Sequence, residues 1–219
     1  SGRRKFTCTA NHAIFTPDGE RRAGELRVGD QVMVAAKHYD LSEDQRQLVL
    51  GGLLGDGSLR FASEQNASFR IGHGERQQDY CRWKWRMLAP FANKIGKTGK
   101  GFGFDTLPMR QLAELHAQAY GPEGRRVSEA MLAALDARAV AVWYGDDGTF
   151  SGSYEHWGHG KAEIGCVSLS HADKERLAAR LEELGMGHPT VCERSLLFSG
   201  ERTNALHEKI APYLHPSLD

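Results

Sequence analysis

The chain has 219 residues, 40% hydrophobic and 26% charged, with 28 basic side chains balanced by 28 acidic ones. These values are typical of a globular protein of one large or two small domains. A net charge of zero argues weakly against DNA binding through the overall charge of the protein, because local basic patches matter more than the total. No apolar run reaches the ~18 residues of a membrane span, and four scattered cysteines without a CxxC pair indicate a reducing, cytoplasmic location.

The first predicted segment, residues 1–38, is β-rich. Its strand-like stretches are "FTCTANHAIFT" and "DQVMVAA", connected through the turn "TPDG" and the loop "GELRVGD". The polar stretch "KHYD" then breaks the pattern, so we expect a second domain over 39–219. The abrupt ends of the sequence indicate a piece of a larger protein.

The second segment contains one order of elements twice. Ser42 and Gln45 form a capping-box pattern that predicts a helix reaching Gly55. Strands "SLRFAS" and "SFRIGHG", a helix in "ERQQDYCRWKWRMLAPF", strand-like "GKTGKGFGFDT" and the helix "MRQLAELHAQAYG" follow. From Arg125 the order recurs, beginning with a helix that reaches Gly145. The sequence predicts an α+β fold of two pseudo-symmetric αββαββα repeats, about 39–124 and 125–219.

Each repeat begins with a helix that ends in an acid. The stretches are "VLGGLLGDG" and "VAVWYGDDG", which align Asp56 with Asp147. A carboxylate is unfavourable at a helix C-terminus, where the macrodipole is negative. The glycine after each acid suits the left-handed residue that ends many helices. A single Asp-Gly turn would be unremarkable, but two in one repeated pattern indicate a function.

Small residues four positions apart indicate that the two helices pack side by side. They are Gly51 and Gly55 in the first helix and Ala141 and Gly145 in the second. Such packing would bring two carboxylates together at the negative ends of two dipoles. That arrangement is repulsive without a cation, and carboxylate oxygens suit Mg²⁺. Two such sites could act on the attacking and leaving oxygens of a phosphodiester.

The paired motifs resemble those of LAGLIDADG homing endonucleases, and the resemblance covers about 39–219. It implies a saddle of strands over double-stranded DNA, cleavage of a long asymmetric site, and a monomer with internal pseudo-two-fold symmetry. It also implies Mg²⁺ at Asp56 and Asp147, with Asp146 as a supporting acid. Arg125 or Arg126 stands where the family usually has a catalytic Lys. Arginine keeps the positive charge but differs from lysine in geometry.

The first segment resembles part of an intein splicing (Hint) domain. The stretch "CTANHAIFT…GELRVGD" carries the resemblance, and Thr9 and His12 match its T-x-x-H pattern. The resemblance implies that Thr9 and His12 activated the N-terminal splice junction of a parent intein. The residues of both splice junctions are absent, so this fragment is not expected to splice.

Polar residues on the predicted strands are candidates for DNA contact, because they can hydrogen-bond base edges or phosphates. They are Arg60, Ser63, Gln65, Ser68, Arg70 and His73 in the first half, Ser151, Ser153, Tyr154, Lys161 and Glu163 in the second, and Lys97 and Lys100 for phosphates.

Three functions follow. The first is an intein-encoded, Mg²⁺-dependent endonuclease. The second is a weakened or inactive relative that only binds DNA, a reading favoured by arginine at the lysine position and by a second basic residue expected after "PSL" that lies beyond Asp219. The third, a self-processing protein, fits the parent intein better than this chain.

Overall fold

The structure is a computed structural model that describes residues 7–32, 40–99, 101–122, 124–152 and 160–218. The chain divides into two compact units, Ser1–Asp40 and Leu41–Asp219. In the smaller unit, β1 (Ala13–Thr16) and β2 (Gly19–Arg22) form an antiparallel hairpin. Strand β2 lies outside the predicted strands, and most of the predicted strand "DQVMVAA" lies outside the described residues.

The larger unit begins with the elements of the first repeat. They are α1 (Glu43–Leu54), β3 (Ser58–Ser63), β4 (Asn66–Gly74), α2 (Gln78–Met87), β5 (Gly96–Thr98), β6 (Gly101–Asp105) and α3 (Arg110–Ala119). The two-residue strands β7 (Tyr120–Gly121) and β8 (Gly124–Arg125) and the short helix α4 (Glu129–Ala134) follow. The second repeat comprises α5 (Ala137–Asp147), β9 (Gly148–Ser151), β10 (Lys161–Gly165), α6 (His171–Glu183), β11 (Thr190–Val191), β12 (Ser195–Ser199) and α7 (Glu201–Ile210).

Each repeat contains one four-stranded antiparallel sheet. The strand orders are β3-β4-β6-β5 and β9-β10-β12-β11, so corresponding strands occupy corresponding places. The α+β class is therefore confirmed, and the αββαββα order is observed in both repeats. The predicted helix that reaches Gly145 is divided into α4 and α5, and the short strands β7 and β8 were not predicted. Among the helices of the described ranges, none combines the length and apolar character needed to cross a membrane.

Helix α1 begins where its local sequence predicts. The hydroxyl of Ser42 accepts from the N–H of Gln45 at 3.3 Å, and the Gln45 side chain accepts from the N–H of Ser42 at 2.9 Å. This reciprocal capping satisfies two donors at the start of the helix. From Gln47 onward every residue of α1 is buried, which marks it as a central helix of the core.

Helices α1 and α5 pack directly against each other. A Cβ at Gly51 would lie 2.2 Å from the carbonyl O of Ala139, and a Cβ at Gly55 would lie 2.5 Å from Cβ of Asp146. Glycine is required at both positions because any side chain would collide with α5. The prediction for α1 is therefore confirmed. For α5 it was wrong, because the atoms nearest to these glycines belong to Ala139, Val142 and Asp146, not to Ala141 and Gly145.

The glycines after the two acids have a different role from the predicted one. Neither Gly57 nor Gly148 has a positive φ, and Gly148 lies at φ −82°. A Cβ at Gly57 would lie 2.6 Å from the ring of Phe69, and one at Gly148 would lie 2.2 Å from the carbonyl O of Tyr144. Close packing, not left-handed backbone, requires glycine here.

Candidate active site

The two motif acids lie at the paired ends of α1 and α5. Asp56 follows α1 and is 39% exposed, whereas Asp147 is the last residue of α5, two residues beyond the predicted end. Burial raises the pKa of Asp147 to about 6, and the charges of Asp56 and Asp146 add to this effect. The acids are thus close enough to repel one another, as expected for carboxylates that share a site.

Asp146 lies in the interface between the repeats. Its side chain is fully buried, in the space that Gly55 leaves open. One carboxylate oxygen accepts a hydrogen bond from the N–H of Asp56 at 3.2 Å, and the other is paired with the ammonium group of Lys84. The acid that was expected to be supporting therefore connects the two repeats directly.

Lys84 is a buried cation that the sequence analysis did not include in the site. Its side chain is fully buried on α2, and its Nζ lies 3.1 Å from Nε2 of His73 as well as against Asp146. Burial lowers the pKa of Lys84, while the carboxylate of Asp146 acts in the opposite direction. A sequence signal existed, because Tyr80, Lys84 and Leu88 are spaced four residues apart and all are buried on one helix face.

His73 lies beneath Asp56. Its Nδ1 is 3.2 Å from Oδ2 of Asp56, and its side chain is fully buried. The prediction that His73 contacts DNA was wrong, because side chains alternate along β4 and His73 points inwards with Ala67, Phe69 and Ile71. That alternation was readable from the sequence.

The two candidate arginines have different surroundings. The guanidinium of Arg125 donates to the carbonyl oxygens of Leu53, Gly55 and Gly57 at 3.0, 2.9 and 2.7 Å. It therefore places a positive charge at the C-terminal end of α1, and that charge offsets part of the rise in the pKa of Asp147. Arg126 is exposed, and its side chain donates to the carbonyl O of Ala117 at 2.5 Å.

Most described residues of the predicted DNA-contacting set are accessible. Arg60, Ser63, Gln65, Arg70, Lys97, Ser151, Lys161 and Glu163 are exposed, and Ser68 is half-buried. The guanidinium of Arg70 is paired across the strands with Asp105, with Nε 2.8 Å from Oδ1. Lys100, Ser153 and Tyr154 lie outside the described residues.

The two residues of the smaller unit with a predicted splicing role lie just before β1. The N–H of His12 donates to the carbonyl O of Thr9 at 3.1 Å, and both residues are exposed. A local turn therefore connects the two residues of the T-x-x-H pattern.

The donors in the larger unit suit a divalent cation. Asp56, His73 and Asp146 each offer a ligand atom within 4.8 Å of the others. Asp147 adds a carboxylate whose raised pKa reflects burial and nearby negative charge. Oxygen donors that repel one another gain most from a hard cation, so the arrangement fits one. Asp56 and Asp147 are the accessible pair, whereas both oxygens of Asp146 already have partners.

Three comparisons place the chain among known proteins. The LAGLIDADG DNA endonuclease family matches residues 46–187. The chain is 35% identical to RecA of Mycolicibacterium fallax over 239 residues and 36% identical to RecA of Mycolicibacterium chitae over 235 residues. These alignments cover 100% of the chain and 55% of each relative, so the chain spans about half the length of its curated relatives.

A solved structure has the same fold. The homing endonuclease I-WcaI, bound to its DNA recognition sequence, superposes with a TM-score of 0.71 at 13% identity. The superposition covers 82% of this chain and 86% of that one.

Proposed function

Because this chain belongs to the LAGLIDADG DNA endonuclease family, we propose that it is a site-specific homing endonuclease that cuts both strands of a long, asymmetric DNA site by Mg²⁺-dependent phosphodiester hydrolysis. The observation that carries the proposal is the convergence of Asp56 and Asp147 at the paired ends of α1 and α5. The repulsion between the two carboxylates destabilises the folded protein. A cation bound between them and the DNA phosphates would remove that repulsion, which favours its binding.

Asp56 and Asp147 would hold the cation through their accessible oxygens. When bound, Mg²⁺ would supply positive charge for the phosphodiester transition state. Asp146 would fix the main chain of Asp56, and Lys84 would neutralise Asp146. Arg125 would add positive charge near Asp147. It would act through this charge, because its guanidinium already donates to three carbonyl groups.

The two four-stranded sheets would carry the DNA, as a saddle formed by one chain. Residues such as Arg60 and Arg70 in the first half, and Ser151 and Lys161 in the second, would contact base edges or phosphates. Arg70 and Glu163 take corresponding places in the two sheets, and their opposite charges suit an asymmetric site.

We further propose that the chain is the endonuclease region of an intein whose host is a RecA protein. The relatives that align with the whole chain are RecA proteins, and the family matched within it is an endonuclease family. An intein inserted into RecA would account for both matches. The smaller unit would then be part of the splicing domain, with Thr9 and His12 at the splice site of the parent.

One observation favours a second function, DNA binding without cleavage. Of the two arginines that stand at the expected lysine position, Arg125 is the one whose charge acts on Asp147, and its hydrogen bonds to three carbonyl groups leave it poorly placed to contact a phosphate. Such a protein would recognise the same DNA and cut it slowly or not at all.

A cleavage screen would separate the two functions. The chain would be incubated with Mg²⁺ and a library that includes RecA coding sequences from which the matching segment has been removed. We expect one double-strand cut at the junction, and we expect Asp56→Asn and Asp147→Asn to bind this DNA without cutting it. Binding without nicking under any divalent cation would support the second function. Undiminished cleavage by both variants would refute the assigned acids.

A further inference from the structure

The two halves of the active site can be compared position by position. If Asp56 is equivalent to Asp147, then Ser58 is equivalent to Thr149. Ser58 pairs with Arg70 in the first sheet, and Thr149 pairs with Glu163 in the second. Three residues further along the chain, His73 in β4 is the equivalent of Cys166, which directly follows β10, and both are buried.

The surroundings of the two acids differ at these equivalent positions. In the first half, the imidazole of His73 lies 3.2 Å from the carboxylate of Asp56, and Lys84 contacts the other ring nitrogen at 3.1 Å. In the second half, the spacing that relates His73 to Cys166 puts Leu177 at the place of Lys84, and the buried lysine of α6, Lys174, donates to the carbonyl O of Glu193. Cys166 cannot replace the imidazole, because a thiol is only a weak donor.

We propose that His73 is a positioning residue for Asp56, held in place by Lys84, and that the protein cuts the two DNA strands at unequal rates because no described residue of the other half pairs an imidazole with Asp147. The inference rests on the endonuclease function proposed above. Its basis is the juxtaposition of a buried imidazole with one of two carboxylates that occupy equivalent places in the repeats.

The physical argument concerns the freedom of the carboxylate. Asp56 is 39% exposed, so its side chain could rotate in the absence of a neighbour. Nδ1 of His73 has no hydrogen bond of its own among the described residues, and the group it faces is Oδ2 of Asp56. Partners behind a ligand that fix its orientation typically change metal affinity by about 10–100-fold when removed.

The test follows each strand separately with a distinct label on each 5′ end. His73→Ala should slow cleavage of one strand by about tenfold or more, so that nicked DNA accumulates. His73→Asn should restore most of that rate, since its amide can donate close to the place of Nδ1. The matched control is Cys166→Ala, which should leave the ratio of the two strand rates unchanged.

A second measurement does not depend on cleavage. Mn²⁺ binding to the protein–DNA complex, followed by electron paramagnetic resonance, should weaken at one site in His73→Ala and remain native in Cys166→Ala. If the native protein never cuts DNA, the endonuclease proposal fails, and this binding comparison still decides the role of His73.

Circular dichroism would confirm that each variant is folded, and His73→Cys would replace His73→Ala if the latter unfolds. Equal slowing of both strands by the His73 variant would overturn the proposal. So would unaltered Mn²⁺ binding, failure of His73→Asn to restore the rate, or an equal effect of Cys166→Ala.

Discussion

The main-chain N–H of Asp56 donates a hydrogen bond to the carboxylate of Asp146, 3.2 Å away on the opposite helix. The acid that closes the first motif is therefore held by a residue of the second repeat. Because Asp146 is fully buried and paired with Lys84, this connection is part of the core as well as of the site. A change that disturbs Asp146 or Lys84 should therefore affect both the stability of the fold and the position of Asp56.

The pairing of Lys84 with Asp146 predicts a large single-mutant effect. Lys84→Met leaves a buried carboxylate without its cation, so we expect it to lower the free energy of unfolding by about 3–5 kcal/mol. The double variant Lys84→Met/Asp146→Asn should recover much of the loss. Urea denaturation would measure both.

An exposed ion pair provides the control for this prediction. Arg110 and Glu114 are paired on α3 at 2.8 Å with both side chains largely exposed. Arg110→Met should therefore cost under about 1 kcal/mol. If Lys84→Met lowers the free energy of unfolding no more than Arg110→Met does, the prediction for the buried pair of Lys84 and Asp146 is wrong.

The contact between α1 and α5 predicts that Gly51 cannot be replaced. In Gly51→Ala the new methyl group would meet a backbone carbonyl at 2.2 Å, so the helices must separate. We expect destabilisation by about 1–3 kcal/mol or more. Gly96→Ala is the matched control, since a methyl group there would have no other atom within 4 Å. Thermal unfolding would compare them, and equal melting temperatures would contradict the packing described.

The raised pKa of Asp147 predicts a pH-dependent stability in the absence of divalent cations. The folded state binds this proton more tightly than the unfolded state, whose carboxyl titrates near 3.8. The resulting stability is present below pH ~4 and is lost as the pH rises through about 6. We therefore expect Asp147→Asn to stabilise the protein at pH 7.5 and to have little effect at pH 4.

Denaturation curves in EDTA at several pH values would measure this difference. At pH 7.5 the advantage of Asp147→Asn over the native protein should shrink when Mg²⁺ and DNA are present. A bound cation would favour the ionised carboxyl of the native protein and so stabilise it. If Asp147→Asn stabilises the protein equally at pH 4 and pH 7.5, the pKa of Asp147 is not raised in the folded state.

The pair of Arg70 and Asp105 predicts specific base recognition. Asp105 occupies one edge of the guanidinium and leaves donors free to face the groove. Since arginine most often reads guanine, Arg70→Ala should weaken binding by about 1–3 kcal/mol at one base pair and relax the preference there. Asp105→Ala should relax the preference with a smaller loss of affinity.

Binding to a set of single-base variants of the target, without divalent cations, would test this prediction. Arg110→Ala, on an exposed part of α3, should leave the base preference unchanged. A uniform loss of affinity across all variants for Arg70→Ala would instead indicate a phosphate contact.

Local features of the fold could be predicted from the sequence. The capping box at Ser42 was predictable because it involves residues three positions apart, and the glycines of α1 indicated a close helix contact. The residues of α5 that meet those glycines were predicted wrongly, because spacing along one helix does not determine which face meets another. That information is contained in the packing between the repeats.

The same distinction between local patterns and contacts across the repeats explains which parts of the site could be predicted. The two acids followed from a repeated local pattern. The role of Asp146 depends on Gly55, which lies in the other repeat, so no local pattern could indicate it. His73 and Lys84 are different cases, since strand alternation and helical spacing both place them inside. The polar character of His73 led to the prediction of a DNA contact, and the periodicity was the better guide.

The contact of Gly55 with Asp146 also bears on how this architecture can be rearranged. Two copies of the first repeat, paired with each other, would place glycine against glycine and leave a void. Two copies of the second would press one aspartate against another, with like charges and no room for either side chain. The contact seen here therefore requires one half of each kind.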